Sequence, residues 1–241
     1  LIRQILRVGI PAGIENGMFQ IGKLSVSSLT STLGTAAIAA NAVANTTTTF
    51  LNIPANAVGM AALTVVGQCL GAGEKDQAVY YSRRLMLFAY CGAWFMNLSA
   101  FLFANKFALG LFGLSPEAYA MAPETYFLLS ALSYPFIGLY NAGAALFRAQ
   151  GNSKISMLSS LVMNVVNIGG NAVLIYGFKM GVMGAALASL VSRAIACFAV
   201  LYLLQKPDCP LRVDGLRALA PKARLIRQIL RVGIPAGIEN G

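Results

Sequence analysis

Long apolar segments separated by short polar ones dominate the pattern along this chain. An α-helix rises about 1.5 Å per residue, so about 20 apolar residues cross the hydrocarbon core of a bilayer. Six runs approach or exceed that length, at residues 9–33, 35–70, 85–103, 125–147, 155–178 and 182–204, and a seventh begins at 229–241. The pattern predicts an all-α fold, a polytopic transmembrane bundle of six helices plus the start of a seventh. The predicted domains are a six-helix lobe at residues 1–205, a basic cytoplasmic loop at 206–228 and a further helix that starts at 229–241 and copies the N-terminus.

Three prolines are the predicted hinges of this bundle. The second run is too long for one straight crossing, so it should tilt or bend, and Pro54 lies in its middle. Pro11 and Pro135 are expected to kink or start the helices that contain them.

Basic residues alternate between the two sides of the predicted bundle. The loops after even-numbered runs carry Lys75, Arg83, Arg84, Arg148, Lys154, Lys206, Arg212, Arg217, Lys222, Arg224, Arg227 and Arg231. The loops after odd-numbered runs carry only Lys106 and Lys179. Because cytoplasmic loops are enriched in Lys and Arg, both ends of the chain are predicted to be cytoplasmic, in a plasma (inner) membrane.

The composition agrees with a membrane protein and excludes several kinds of chemistry. The chain is 57% hydrophobic and 11% charged, with a mean hydropathy of +0.68, whereas soluble domains carry about 25% charged residues. Its net charge of +10 is spread over loops instead of forming a nucleic-acid-binding patch. The absence of histidine, of CxxC spacing and of a Walker loop argues against a His triad, a metal site and direct use of ATP. We therefore expect no enzyme activity, no metal, no cofactor and no nucleic-acid partner.

The first run carries the most informative polar residues. One helical face holds Asn16, Gln20, Lys23, Ser27, Thr30 and Ser31, with Glu15 about 100° away. A charge near the bilayer centre costs about 2.5 to 3.5 kcal/mol, so Glu15 and Lys23 are expected to line a substrate or ion path. The alternative is that Glu15 lies near the cytoplasmic interface and that Lys23 snorkels. Glycines at positions 9, 13 and 17 form a small-xxx-small series that predicts close helix contact.

A second polar stripe follows the fifth run. Ser160, Asn164, Asn167 and Asn171 share one helical face, and the second run adds Asn41, Asn45, Asn52, Asn56 and the threonines at 46–49. These groups either line a hydrated cavity or join helices by hydrogen bonds. Arg193 in the sixth run either snorkels to the cytoplasmic side or caps a packed interior. The predicted pathway residues for substrate or ion are Glu15, Asn16, Gln20, Lys23, Asn164, Asn167 and Asn171.

The two ends of the chain have the same sequence. The sequence LIRQILRVGIPAGIENG occupies residues 1–17 and returns at 225–241. Diverged natural repeats keep a pattern and lose identity, which is the opposite of this repeat. We therefore expect the chain to be a window of a longer protein, from a sequence contig wrongly closed on itself.

Seven segments together resemble the multidrug and toxic compound extrusion (MATE) transporters. They are IPAGIE at 10–15, GTAAIAANAVA at 34–44, VVGQCLGAG at 65–73, GLSPE at 113–117, LFRAQGNSK at 146–154, NVVNIGGNAVLIYG at 164–177 and GVMGAALASLVSR at 181–193. The family implies two six-helix lobes joined by a cytoplasmic loop. Residues 10–73 resemble the opening of the second lobe, while 147–193 resemble the end of the first, so the resemblance implies a partial chain that is chimeric between lobes.

The ion-binding residues that the family implies are only partly matched in this chain. The Asn-x3-Asp pair that one subgroup carries on helix five corresponds to Asn167 and Asn171, so the second carboxylate is an amide here. The glutamate that another subgroup carries eight residues after the helix-seven proline corresponds to Phe19, whereas this chain has Glu15.

The resemblance implies a secondary transporter that exports amphipathic or cationic compounds by antiport with H⁺ or Na⁺. Its partners would be the lipid bilayer, a small-molecule substrate and a second lobe or second copy. Two alternatives remain, a flippase for lipid-linked oligosaccharide with a related fold, and an inactive fragment from a misassembled gene.

Overall fold

The computed structural model describes residues 2–32, 34–103, 132–206 and 209–211. Six α-helices form this part of the chain: α1 (Ile2–Ser31), α2 (Thr35–Gly71), α3 (Lys75–Phe103), α4 (Tyr134–Ala149), α5 (Ser153–Ala172) and α6 (Gly181–Gln205). A π-helical turn, Val173–Gly177, extends α5. The predicted all-α bundle is confirmed over these residues. The beginning of the fourth apolar run, most of the basic loop and the seventh run lie outside them.

Short turns set the antiparallel arrangement of neighbouring helices. Gly34 lies between α1 and α2 with φ 100°, and Gly151 lies between α4 and α5 with φ 74°, a left-handed conformation that glycine adopts without strain. α1 packs mainly on α5, α2 packs on α3 and α4, and α6 packs on α4 and α5. As a result, α1 is attached to the bundle chiefly through the helix that carries the asparagine stripe.

Helix boundaries and membrane spans do not coincide. α3 begins at Lys75, ten residues before the apolar run that predicts it, because a polar segment with Asp76 in the first turn is also helical. Within the described residues, three segments are long and apolar enough to cross a membrane: Asn52–Gly71, Ser153–Gly177 and Met183–Gln205. The other helices are shorter or more polar. Length and composition therefore support three of the six predicted crossings.

Small residues allow the closest helix contacts in the core. Ala61, Ala62 and Ala144 are completely buried. A Cβ on Gly138 of α4 would lie 3.0 Å from the Cβ of Ala93 in α3, and one on Gly143 would collide with Val200 of α6. In a membrane such close backbone approach replaces the hydrophobic effect as the source of helix association.

Among the described residues the glycine series of α1 makes no close helix contact. A Cβ built on Gly9, Gly13 or Gly17 meets nothing within 4 Å. Their spacing indicates a smooth helix face, but that face is turned away from the described helices. Close contact occurs instead at Gly22, where an added Cβ would collide with the Asn164 side chain of α5.

The three predicted hinge prolines have different positions in their helices. Pro135 lies in the first turn of α4 and so starts that helix, as its lack of a backbone N–H permits. Pro11 and Pro54 lie inside α1 and α2, which continue through them. Each interior proline removes one backbone hydrogen bond, so these are the two weakened points of the long helices.

Candidate ion and substrate pathway

The carboxylate of Glu15 lies at a junction of three helices. Ser156 of α5 donates a hydrogen bond to Glu15 Oε2 over 2.6 Å, and the Tyr140 hydroxyl of α4 lies 3.3 Å from Glu15 Oε1. Arg148 Nη1, at the end of α4, is 3.5 Å from Glu15 Oε2. We call these four residues the Glu15 cluster.

The Glu15 cluster is a buried, compensated charge. The Glu15 side chain is 4% exposed and the Arg148 side chain 26%, while Tyr140 and Ser156 are completely buried. A buried carboxylate persists when it is paired and hydrogen-bonded, and both conditions hold here. Neighbouring helices therefore cover this carboxylate, and the alternative that Glu15 lies near the cytoplasmic interface stays a prediction.

One proton in this cluster has two acceptors. The Tyr140 hydroxyl lies 3.3 Å from Glu15 Oε1 and 3.4 Å from the backbone oxygen of Ser156. A tyrosine has a single hydroxyl hydrogen, so it satisfies one acceptor well at a time. The carboxylate thus has one strong neutral donor, one cation and one shared donor.

The asparagine stripe of α5 is divided between two neighbouring helices. Asn164 is buried against Gly22 of α1 and donates its amide to the backbone oxygen of Ser160 over 2.9 Å. Asn167 donates to Ser189 and Ser192 of α6 over 3.1 and 3.2 Å. Asn167 thus joins α5 to α6 by hydrogen bonds, one of the two roles that the sequence left open for the stripe, whereas Asn164 contacts α1 by packing.

The side-chain oxygen of Asn171 is a buried acceptor that lacks a donor in the described part of the chain. Its amide nitrogen donates to the backbone oxygen of Asn167 over 2.7 Å and lies 3.2 Å from Asn167 Oδ1. The residue is completely buried, and its Oδ1 has no hydrogen-bond donor among the described residues. An unsatisfied buried oxygen costs about 1 to 3 kcal/mol.

The remaining pathway residues lie on an exposed face of α1, away from the Glu15 cluster. Asn16, Gln20 and Lys23 are exposed, whereas Glu15 and Gly22 face the bundle. The structure therefore separates the predicted pathway residues into a buried cluster at Glu15, a packed stripe on α5 and an exposed polar face on α1. As expected from their separation along the helix, Glu15 pairs with Arg148 and not with Lys23.

The Arg193 side chain of α6 is held by a contact with the segment that precedes α4. Its Nη1 donates to the hydroxyl of Ser133, which immediately precedes α4. Ser133 is buried and Arg193 is half-buried. This contact corresponds to the packed-interior alternative that the sequence allowed.

A small cavity lies between α2, α3 and α4. Asn52, Pro54, Phe88 and Tyr134 are among its lining residues, and its volume is about 30 Å³. Drug-sized ligands occupy about 300 to 1,000 Å³. This cavity is therefore too small for such a ligand and has room for one or two water molecules.

Sequence reasoning missed the partners of Glu15. In the sequence Arg148 is only one of the basic loop residues, and Tyr140 and Ser156 lie 125 and 141 residues from Glu15 in the chain. The one available signal was the buried carboxylate itself, since such a group requires donors from a neighbouring helix.

Over the described residues the fold is a bundle of six α-helices in which α1, α4 and α5 meet at one buried, compensated carboxylate. The MatE family model matches residues 11–173. The chain belongs to the MatE family of MATE transporters, which confirms the resemblance found in its motifs. Members of this family are membrane transporters and not enzymes.

Curated relatives are exporters of greater length. The multidrug export protein MepA of Staphylococcus aureus (strain MRSA252) is 29% identical over 185 residues, which cover 75% of this chain and 40% of MepA. MepA of Staphylococcus saprophyticus is also 29% identical over 185 residues, with the same coverage. The chain thus spans about 40% of the length of these relatives.

Solved structures show the same fold in one half of a longer chain. An outward-facing multidrug resistance MATE family transporter of the MOP superfamily superposes with a TM-score of 0.89 at 23% identity, over 98% of this chain and 52% of that one. A Pyrococcus furiosus MOP superfamily transporter, described as having a binding pocket of reverse polarity that suggests a different function, gives 0.88 at 23% identity with the same coverage. The predicted joining of pieces from two lobes stays a prediction.

Proposed function

We propose that the chain forms one lobe of a secondary transporter that exports amphipathic compounds from the cell in exchange for inward H⁺ or Na⁺. The observation that carries the proposal is the Glu15 cluster, a buried and compensated carboxylate in a chain of the MatE family. Intramembrane carboxylates that face a bundle interior commonly mark ion or proton relays. The names of the relatives, multidrug export proteins, support the direction and the type of cargo.

Glu15 is the residue assigned to coupling. The other carboxylates in the described part of the chain are exposed: Glu74 lies in the turn between α2 and α3, and Asp76 lies in the first turn of α3. Protonation of Glu15 would remove its attraction to Arg148 and leave the short contact with Ser156. Since this cluster ties α1 to α4 and α5 just after Pro11, a change in its charge bears directly on the position of α1.

The electrical cost of export supports a coupled mechanism. Moving one unit charge against the membrane potential takes about 2.3 kcal/mol per 100 mV. Inward flow of H⁺ or Na⁺ offsets that cost for a cationic cargo. The transporter would lie in the plasma membrane with both ends of this chain in the cytoplasm, as the loop charges predict.

Alternating access requires a second moving body. Transporters of this kind rock two repeats around a site at their interface, and this chain covers 52% of the solved structures that it matches. The complementary lobe would come from the rest of a longer protein or from a second copy.

Proteoliposomes test the coupling role. The full-length protein that contains this chain is reconstituted, and movement of rhodamine 123 and fluorescein is followed after a pH or Na⁺ gradient is imposed. Glu15→Gln should abolish gradient-driven transport while dye binding is kept, and Glu74→Gln, at an exposed turn, is the matched control. Equal gradient dependence in the Glu15 variant and the wild type would remove Glu15 from the mechanism. Lys23→Ala and Asn167→Ala are measured beside it, and unchanged transport would remove them as well.

A further inference from the structure

The Tyr140 hydroxyl lies between two hydrogen-bond acceptors of the Glu15 cluster. Its oxygen is 3.3 Å from Glu15 Oε1 and 3.4 Å from the backbone oxygen of Ser156. A well-formed O–H···O hydrogen bond measures about 2.7 to 2.8 Å, so the hydroxyl is not close to either acceptor. Tyr140 is completely buried, which leaves its single hydrogen to be divided between protein groups. A movement of about 0.6 Å toward one acceptor forms a good hydrogen bond there and lengthens the contact with the other.

The protonation state of Glu15 decides which acceptor is favoured. An ionised carboxylate only accepts hydrogen bonds, and a bond to it is roughly twice as strong as one between neutral groups. The ionised form therefore takes the Tyr140 hydrogen from the neutral carbonyl of Ser156. A protonated carboxyl carries an O–H donor of its own, so it donates to the Tyr140 oxygen, and the Tyr140 hydrogen turns to the carbonyl of Ser156. The hydroxyl thus has one arrangement for each state of the carboxyl group.

Glu15 is the group in this cluster whose charge changes on acidification. Arg148 stays charged near neutral pH, and a phenol such as that of Tyr140 titrates only at about pH 10. The other described charges on helices packed against α1 lie elsewhere: Lys154 of α5 is exposed, and Arg193 of α6 contacts the segment before α4. α2 carries no charged residue. A response of the Tyr140 hydroxyl to pH therefore reports the protonation of Glu15.

Further contacts lead from Tyr140 along α5 and back to α1. The Ser160 side chain also hydrogen-bonds to the Tyr140 hydroxyl, and the amide nitrogen of Asn164 lies 2.9 Å from the Ser160 backbone oxygen and 3.5 Å from its Oγ. The Asn164 side chain packs against Gly22, where an added Cβ would collide with it. Gly22 follows Glu15 by seven residues, a rise of about 10 Å along α1. α1 is therefore held at two points by one connected group of buried side chains.

We propose that Tyr140 is a positioning residue that transmits the protonation state of Glu15 from α1 to α5. While Glu15 is ionised, the hydroxyl donates to the carboxylate and holds α1 against α4. When Glu15 takes up a proton, the hydroxyl turns to the backbone oxygen of Ser156, and Tyr140 keeps its own proton in both states. The assignment rests on the proposed export function and names the residue through which proton uptake at Glu15 alters the packing of α1 on α5.

Infrared difference spectroscopy tests this coupling directly. The full-length protein that contains this chain is prepared in detergent with isotope-labelled tyrosine, and spectra are recorded as the pH is lowered. Protonation of a carboxylate produces a C=O stretching band, and the C–O stretching band of tyrosine moves when the hydrogen bonds of its hydroxyl change. We expect both changes in the wild type with the same pH midpoint. Glu15→Gln should lose both, because it removes the group that takes up the proton.

Tyrosine variants assign the second band to one residue. Tyr140→Phe removes the hydroxyl and keeps the ring, so the tyrosine change should disappear while the Glu15 carboxyl band remains. Tyr202→Phe, which removes an exposed hydroxyl on α6, is the matched control and should leave both bands as in the wild type. A tyrosine change that persists in Tyr140→Phe, or one that persists in Glu15→Gln, overturns the inference.

Transport separates positioning from packing. With an imposed pH gradient in proteoliposomes, Tyr140→Phe should slow the movement of rhodamine 123 about tenfold, equivalent to about 1.4 kcal/mol, and leave dye binding unchanged. Fluorotyrosine at position 140 keeps the hydroxyl, so it should restore transport and move the acid-induced tyrosine band. If Tyr140→Phe does not fold, the fluorotyrosine protein decides the question, because a band that does not move with the label at position 140 overturns the inference.

Failure of the export proposal gives a different result. If the carboxyl and tyrosine bands change together but no gradient moves either dye in wild-type proteoliposomes, the role of Tyr140 beside Glu15 stands and the export function falls. If a gradient moves the dyes in a manner that depends on Glu15, while Tyr140→Phe changes neither the spectra nor transport, export stands and the role of Tyr140 falls.

Discussion

Substitutions of Glu15 and Arg148, made singly and together, measure how much this buried ion pair stabilises the fold. Arg148→Gln leaves Glu15 with a 4% exposed side chain and no cation beside it. Breaking a buried pair from one side costs about 3 to 5 kcal/mol. Because Arg148 is 26% exposed and lies 3.5 Å away, we expect the lower end of that range, about 3 kcal/mol.

Removal of the Glu15 carboxylate should lower the free energy of unfolding by less than removal of the Arg148 guanidinium. In Glu15→Gln the hydrogen bond from Ser156 is kept in weaker form, while Arg148 recovers water at the bundle surface, so we expect a loss of about 1.5 kcal/mol. The double variant leaves two neutral amides and should lose about 2 kcal/mol. The two changes are then non-additive by about 2.5 kcal/mol, because each single change removes the same interaction.

Thermal unfolding in detergent provides the measurement. The chain has one tryptophan, Trp94, which lies on α3 in an edge contact with Tyr90, 6.3 Å between ring centroids, so its fluorescence reports unfolding without a label. For a chain of this size 1 kcal/mol shifts Tm by roughly 2–4 °C, so Arg148→Gln should lower Tm by roughly 6–12 °C. Lys154→Gln, with an exposed lysine, is the control and should leave Tm unchanged. If the stability losses of the two single variants add up to the loss of the double variant within about 0.5 kcal/mol, the reasoning is refuted.

Three further outcomes test the packing of α1 and the buried groups. Gly22→Ala should lower Tm by several degrees because an α5 amide occupies the space of its Cβ, whereas Gly17→Ala should be neutral or slightly stabilising, with nothing within 4 Å; equal Tm values for the two would contradict this packing. A membrane-permeable maleimide should label Cys91, which is exposed, and spare Cys197, which is buried, until the protein unfolds; mass spectrometry of each peptide reads the result. Asn171→Asp should lower Tm at high pH and recover on acidification, because a protonated carboxyl restores the donor to the backbone oxygen one turn earlier; a Tm independent of pH would remove that hydrogen bond from the account.

Much of the fold can be predicted because the relevant signals are local. The apolar runs at residues 35–70 and 155–178 agree closely with α2 and with α5 plus its π-helical turn. Helix boundaries are harder to predict, as the start of α3 shows, because hydropathy identifies apolar segments and α3 begins at Lys75 with a polar segment that precedes its apolar run. Pro135 fits the first turn that its chemistry favours.

The candidate site depends on contacts between distant parts of the chain. That Glu15 needs donors follows from its chemistry, but nothing near it in sequence identifies Ser156 or Tyr140 as those donors. Periodicity places Asn16, Gln20 and Lys23 on one face without saying whether that face meets lipid, water or protein. The packing of α1 on α5 decides this question, and it turns the polar face outward.

The wide sequence separation within the Glu15 cluster has a consequence for biosynthesis. Ser156 follows Glu15 by 141 residues, and ribosomes add roughly 5–20 residues per second. α1 therefore reaches the membrane roughly 7–28 s before the donors on α4 and α5 have been made. During that interval the carboxylate lacks the Arg148 guanidinium and the Ser156 hydroxyl that compensate it in the folded chain. Helices made late in this chain therefore supply the groups that compensate the charge on α1.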